Sequence, residues 1–350
     1  MGPLPGVTRD TGGAMAKVTL QSIADRVGVS RMTVSNAFSR PDQLSAELRE
    51  RILAAADELG YVGPDPAARA LARGRTGSVG LLINGSLSEA FEDAVSAAFL
   101  ASVSDALATR GMALTLLPSS PDQPFVAARD VAVDGVLVYI CDPTSPDIAW
   151  LERRSMPMVV VDHNVTEGVA SVNVDDRGGA RLAAQHLVDL GHRRLGIVTL
   201  ETDPDTLNYP ARERYLGWQD AFGPAGIAPA YVATPYHPPR AAYDAALRLL
   251  DQPDRPTAVV CFSDAFALAT IRAAESLGLR VPQDLSVVGF DDSVLAAASR
   301  PPLTTVHQEV PAKGRAAVEA IAELLDGRRP EPVMLPTTLV VRESTAAPSA

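Results

Sequence analysis

Beyond Thr76 the chain alternates short apolar runs with longer amphipathic stretches, and this rhythm limits what it can fold into. Strand-like runs at 79–83, 113–117, 135–140, 158–162, 194–200, 258–262 and 285–290 are separated by helical patterns at 89–110, 146–154, 177–190, 211–222, 240–251 and 264–277. Runs that are apolar throughout suit strands buried on both faces, as in parallel sheets covered by helices. The fold class predicted for this region is therefore α/β. Ligands of such sheets bind at the carboxyl ends of the strands, where the sequence places Asn84, Ser86, Tyr139, Asp162, Ser263, Asp264, Asp291 and Asp292. An enzyme is not expected. Gly74, Gly77 and Gly80 precede the first strand and so cannot form a phosphate-cradling turn after it, and no Walker loop, HExxH, nucleophile elbow or CxxC occurs. Adjacent carboxylates such as Asp291 and Asp292 diverge at a strand end, so neither a metal site nor a cofactor is predicted.

The 350 residues carry a net charge of −11, but the charge is unevenly placed. Residues 17–76 hold nine basic side chains against seven acidic ones, and residues 77 onward carry −13. A nucleic-acid partner would be repelled by the acidic remainder and must meet the first 76 residues. No stretch approaches the ~20 apolar residues of a membrane helix. Residues 1–16, Gly/Pro/Thr-rich and without an apolar core, are expected to be a disordered tail rather than a secretory signal, which implies a cytoplasmic protein. Cys141 and Cys261 lie in apolar runs and read as reduced core thiols.

The first segment has its own pattern. Leu20, Ile23, Ala24 and Val27 mark one face of a helix ended by Gly28. Ser30 caps a second helix with Val34, Ala37 and Phe38 inward, and Ser45 a third with Leu48, Ile52, Ala55 and Leu59. Three such helices in residues 17–62 describe a helix-turn-helix domain. On the outer face of the second helix stand Arg31, Met32, Ser35, Asn36 and Ser39. They include the side-chain types that read guanine, adenine and a thymine methyl. Thr19, Ser30 and Thr33 complete the expected DNA contacts. Residues 63–76 form a linker in which Asp65 and Pro66 open a helix of about eight residues closed by Gly74. Below ~12 residues a lone helix is marginal in water, so this one is expected to be unfolded until DNA is bound.

The stretch Val18-Thr-Leu-Gln-Ser-Ile-Ala-Asp-Arg-Val-Gly-Val-Ser-Arg-Met-Thr-Val-Ser-Asn-Ala-Phe-Ser39, followed by Gly60-Tyr61, resembles the DNA-binding headpiece of the LacI/GalR transcriptional regulators. Leu190-Gly-His-Arg-Arg-Leu-Gly-Ile197, Arg214-Tyr-Leu-Gly-Trp218, Val281 to Asp292, Leu303 to Gln308 and Leu339 to Arg342 are similar to its effector domain. The resemblance implies that 77–345 folds as a periplasmic-binding-protein-like pair of lobes, one from 77–174 and 308–332, the other from 175–304 and 333–345. It also implies a hinge helix whose Leu71 enters the minor groove. The linker Tyr61-Val-Gly-Pro-Asp65 is one residue longer than the family's usual form. The family's ligand contacts fall on Tyr139, Asp162, Arg214, Asp291 and Gln308, with Ser263 where an Asn is usual.

His186 and His192 are expected as caps or surface groups, Trp218 as core, and Pro235 to Pro239 as a loop. The resulting expectation is a regulator, a repressor, that binds a palindromic operator as a homodimer and answers to a small molecule, a sugar, between the lobes. The alternative is the sugar-binding component of a transport system.

Overall fold

The computed structural model describes residues 18–63, 65–84, 86–119, 126–139, 145–164, 168–200, 209–235 and 240–349. The expected tail at 1–16, Cys141, and residues 236–239 of the Pro-rich loop lie outside them. The chain divides into two compact units, Met1–Thr76 and Gly77–Ala350.

In the first unit α1 (Leu20–Val27), α2 (Arg31–Ser39) and α3 (Ala46–Glu58) enclose a core of Ile23, Ala24, Val34, Ala37, Ile52, Ala55 and Ala56. Each helix begins where a hydroxyl accepts from its first turn: Thr19 from Ser22 N, Ser30 from Thr33 N, Ser45 from Leu48 N. Gly28, at φ +77°, makes the left-handed turn between α1 and α2. Tyr61 meets Phe38 edge-on at 5.7 Å. The fourth helix, α4 (Pro66–Arg73), occupies the stretch expected for the linker helix. Both of its ends are satisfied, because Asp65 accepts from the Ala67 and Ala68 amides and Gly74 closes it in the left-handed region. Apart from a half-buried Ala70, its described side chains from Ala67 onward are exposed.

In the second unit β1 (Ser78–Asn84), β2 (Ala113–Ser119), β3 (Gly135–Tyr139), β4 (Met158–Val161) and β5 (Ala170–Val174) alternate with α5 (Leu87–Glu92), α6 (Ala94–Ala108), α7 (Ala127–Asp130) and α8 (Pro146–Arg153). Then come α9 (Asp176–Asp189), β6 (Leu195–Leu200), α10 (Tyr209–Phe222), β7 (Ala230–Thr234), α11 (Arg240–Leu250), β8 (Ala258–Cys261), α12 (Asp264–Ser276), β9 (Ser286–Val288) and α13 (Val294–Ala298). The chain closes with β10 (Thr305–Gln308), α14 (Val310–Leu325), β11 (Val333–Leu335) and β12 (Thr337–Val340). Two parallel sheets result, ordered β11-β5-β4-β3-β1-β2 and β7-β6-β8-β9, each with its own buried core; they define two lobes. The chain passes between them after Val174, after Gln308 and after Leu335. The last two passes run side by side, because β10 pairs antiparallel with β12.

Three details depart from the sequence pattern. The single helix expected at 89–110 is two helices, because Asp93 leaves the helical conformation and its carboxylate caps Ser96 N at 2.7 Å. Residues 333–335 pair with β5 and so belong to the first lobe, not the second. His192 is neither a cap nor a surface group. It is buried, shares a hydrogen bond with the Thr257 hydroxyl and meets the Ala346 carbonyl at 2.8 Å, which ties the carboxyl-terminal segment to the second lobe. Trp218 and Cys261 are buried, as expected.

Candidate functional site

Two surfaces concentrate the predicted site residues, one in each unit. In the first, the apolar stripe of α2 turns Val34 and Ala37 inward and leaves the opposite face open. Arg31 is exposed, Met32 is 69% exposed, and Ser35 and Asn36 are half-buried. The Asn36 amide donates to Gln43 Oε1 at 3.3 Å. Thr19, Ser30 and Thr33 are occupied locally: Thr19 shares a capping box with Ser22, and the Ser30 and Thr33 hydroxyls lie 2.8 Å apart. Arg49, through its Nε, donates to the Ala37 carbonyl and braces α3 against α2. Leu71 on α4 is 86% exposed, an apolar side chain that buries nothing in this unit. A helix face with Arg, Met and Asn outward, beside a leucine in water, has the chemistry of base-edge contact and of a groove wedge.

In the second unit the residues expected around a ligand lie where strands of both sheets end. Asp162 follows β4 in the first lobe, and Asp291 and Asp292 follow β9 in the second. All three hold positive φ, +52°, +116° and +54°. Such backbone is rare outside glycine and is characteristic of sites where direction matters more than local comfort. The adjacent carboxylates do diverge: Asp291 accepts from the Gln308 amide at 2.7 Å, whereas Asp292 faces His307 and Arg342.

Arg214, 4% exposed on α10, holds the second lobe's side of the site. Its Nε donates to Asp176 Oδ1 at 2.8 Å and its Nη1 to the Phe262 carbonyl, while Nη2 lies 3.5 Å from Asp291 Oδ1. The guanidinium is stacked 3.6 Å from the Phe290 ring centre. On the first lobe's side stands Lys313 of α14, 1% exposed, its ammonium 2.5 Å from Asp162 Oδ2 and 3.2 Å from Gln308 Oε1. Tyr139 is buried against Phe99, with ring centres 4.4 Å apart, and its own centre lies 5.8 Å from the Lys313 nitrogen. Polar contacts therefore run without a break from Asp162 through Lys313, Gln308, Asp291 and Arg214 to Asp176.

Burial pushes two carboxyls of this cluster upward: Asp176 to about 6, with Arg214 opposing, and Asp291 well above the ordinary range despite Arg214 beside it. Asp264 is likewise raised to about 6 by burial, although Thr305 and Ser293 donate to it. Burial disfavours the charge of Arg214, but Asp176 and Asp291 outweigh it and hold the guanidinium above its usual value. Ser263 caps α12, accepting from Phe266 N at 3.4 Å. With Asp93, Asp264, Phe266 and Asp291 it borders a cavity of about 150 Å³. Asp162, Arg214, Tyr139 and Gln308 do not border that cavity. Ser86 caps α5. The side chain of Asn84 lies outside the described residues.

Asp176 and Lys313 escaped the sequence pattern, although both had a signal. Each occupies the apolar face of its helix: Asp176 ahead of Gly179, Ala180, Ala183 and Leu187, Lys313 among Val310, Gly314 and Ala317. A charge on that face has to find a partner. Among the described residues no group of three or more His, Cys, Asp or Glu side chains is arranged to hold a metal ion, and no helix is long and apolar enough to cross a membrane.

Residues 19–63 match the family described as bacterial regulatory proteins, lacI family, and residues 184–345 match the periplasmic binding protein-like domain. The HTH-type transcriptional regulator IpsA of Corynebacterium glutamicum is 38% identical over 353 residues, spanning 94% of this chain and 98% of its own. Among solved structures, a complex of the transcriptional regulator CelR with cellobiose has a TM-score of 0.68 at 31% identity, covering 94% of this chain and 100% of that one. The lac repressor dimer bound to operator and the anti-inducer ONPF has a TM-score of 0.80 at 26% identity, covering 94% and 99%.

Proposed function

Since the chain belongs to the lacI family of bacterial regulatory proteins and is a transcriptional regulator, we propose that it is a repressor released from its operator by a sugar or related polyol bound between the lobes. The observation that carries the effector half is the run of buried charged groups from Asp162 to Asp176, which spans both lobes and offers hydrogen-bond acceptors. Vicinal hydroxyls donate to carboxylates and accept from a guanidinium. Cellobiose in the CelR complex and ONPF in the lac repressor complex support this class of ligand. The operator half rests on the outward Arg31, Met32 and Asn36 of α2 and on the exposed Leu71. The regulator acts in the cytoplasm as a homodimer on two half-sites, an arrangement supported by the dimer in the lac repressor structure. The relatives compared are regulators, and the transport reading gains no support from them.

Selection of genomic fragments bound by the full-length protein tests both halves, since the recovered site gives the operator and its neighbouring genes indicate the effector. A palindromic site released by a sugar is the expected result. Binding with no sequence preference, or a site whose occupancy no sugar or polyol changes, would overturn the corresponding half.

A further inference from the structure

Lys313 lies outside every contact expected for the site, yet its placement bears on what the site accepts. The lobes present matching arrangements: in each, a buried cation holds one oxygen of a buried aspartate and leaves the other without a partner. In the first lobe Lys313 Nζ takes Asp162 Oδ2; in the second Arg214 Nε takes Asp176 Oδ1. Asp162 Oδ1 and Asp176 Oδ2 are both buried, and neither has a hydrogen-bond partner among the described residues. A buried carboxylate oxygen left in this way disfavours the folded state until a donor arrives. Both cations are meanwhile engaged: Lys313 also donates to Gln308 and lies over Phe99 and Tyr139, and Arg214 is spread over two aspartates and the Phe262 carbonyl.

We infer that Lys313 is a specificity-determining residue of the effector site, which fixes Asp162 as a one-oxygen acceptor and makes the cleft select an uncharged, hydroxyl-rich ligand over its anionic derivatives. This deepens the proposed function and rests on its reading of the cleft as the effector site. A phosphate or carboxylate on the ligand meets two cations whose charge is already balanced by aspartates, and it adds negative charge beside Asp162, Asp176, Asp264 and Asp291. Burial of one more anion there has no compensating partner. Two hydroxyl donors, in contrast, satisfy one oxygen on each lobe.

The test uses the full-length protein and measures thermal stabilisation and titration calorimetry with four sets of probes: uncharged hexoses, cyclic polyols and disaccharides; their phosphate esters; the matching uronic and aldonic acids; and the amino sugars. Stabilisation of the wild type is expected in the first set and not from the phosphorylated or acidic counterpart of the same compound. In Lys313→Met the affinity for that uncharged ligand falls by at least about tenfold, the loss expected when a charged hydrogen-bond partner is removed. The double variant Lys313→Met/Asp162→Asn, which leaves no unpaired buried charge, guards against a simple folding failure and should recover stability without recovering affinity for the uncharged ligand, since the carboxylate acceptor is gone. A phosphate ester or acid that binds better than its parent overturns the selectivity while leaving the hydroxyl-rich reading in place. Unchanged affinity in a folded Lys313→Met protein removes Lys313 from the site. Failure of every set to stabilise the wild type overturns the reading of the cleft itself, a result distinct from the other two.

Discussion

Arg31 opens α2 with its side chain in water and no acidic partner within ion-pair distance among the described residues. That leaves its fork of donors for a guanine edge, and Arg31→Ala should cost ~1–3 kcal/mol of operator affinity and relax preference at one base position. Sequence selection with wild type and variant checks this; identical preferences at every position would remove Arg31 from base reading. At Asp176 the prediction concerns pH. Burial holds its carboxyl at about 6 in the folded protein, against 3.8 for an ordinary aspartate. Between those values the folded chain keeps a proton that the unfolded chain has lost. The stability Asp176 contributes is therefore present at acid pH and lost as pH rises through about 6, a swing of up to about 3 kcal/mol. Asp176→Asn removes it, so the stability of wild type relative to the variant should fall from pH 4 to pH 7 in denaturant titrations. A constant difference across that range would show that Asp176 does not titrate there. Asp284, half-buried and held down to about 2 by Arg280, works in the opposite sense, which is why the comparison has to be differential.

Helix packing decides whether Asp176 and Arg214 meet at all. They sit on α9 and α10, which approach closely where Gly217 meets Arg177 and Ala180; a Cβ on Gly217 would stand 2.2 Å from the Arg177 carbonyl and 2.8 Å from the Ala180 Cβ. Gly217→Ala must push the helices apart, at ~1–3 kcal/mol, and should weaken the effector response as the ion pair stretches. Thermal unfolding and effector titration measure both, and an unaltered pair of values would show that the helices have slack. For α4 the caps define the helix but its exposed faces bury nothing. Asp65→Ala should therefore remove ~1 kcal/mol of helix stability, and Leu71→Ala should weaken operator binding more than non-specific binding. Equal losses on both kinds of DNA would exclude Leu71 from the groove. These elements differ in how visible they were in the residues. Capping hydroxyls and apolar faces marked α1, α2 and α3 because both signals are local. The break at Asp93 was hidden, since the apolar periodicity of α5 and α6 continues across it. The fully buried β5 was hidden by Ser171 and Asn173, whose polarity interrupts the apolar run; Asn173 is accommodated by two hydrogen bonds to the His163 backbone. The edge strand β7, half in water, was hidden because its short apolar run lies between Pro229 and Pro235, which read as loop. The strand-end placement of the proposed site residues Asp162, Asp291 and Asp292 was legible for the same topological reason as the sheet. Lys313 stood out as a charge on an apolar helix face, but its partner Asp162, distant in sequence, is settled only when α14 packs against β4.

At the scale of the whole molecule, regulation requires that the effector distinguish two arrangements of the lobes, since a ligand indifferent to both shifts nothing however tightly it binds. The contacts that can differ are those along Asp162, Lys313, Gln308, Asp291 and Arg214, because Gln308 lies where the chain passes from one lobe to the other and touches charged groups of both. Rotation of the lobes breaks or remakes that line, and in a homodimer it changes the spacing of the two segments that lead to the DNA-binding units. Half-sites lie about one helical turn apart, so inserting about five base pairs between them, which turns one half-site to the opposite face of the duplex, should abolish cooperative binding by both headpieces. Thermodynamic linkage then sets a quantitative demand. If the effector lowers operator affinity by some factor, operator must lower effector affinity by the same factor, typically ~5–150-fold. Effector titrations with and without saturating operator duplex, set against operator titrations with and without saturating effector, supply both numbers. Equality of the two, in the direction of release, is the expected result. A mutual strengthening would make the ligand a corepressor while preserving the coupling. An effector that binds with the same affinity whether or not operator is present would mean that the charged groups between the lobes hold a ligand without transmitting it to the DNA.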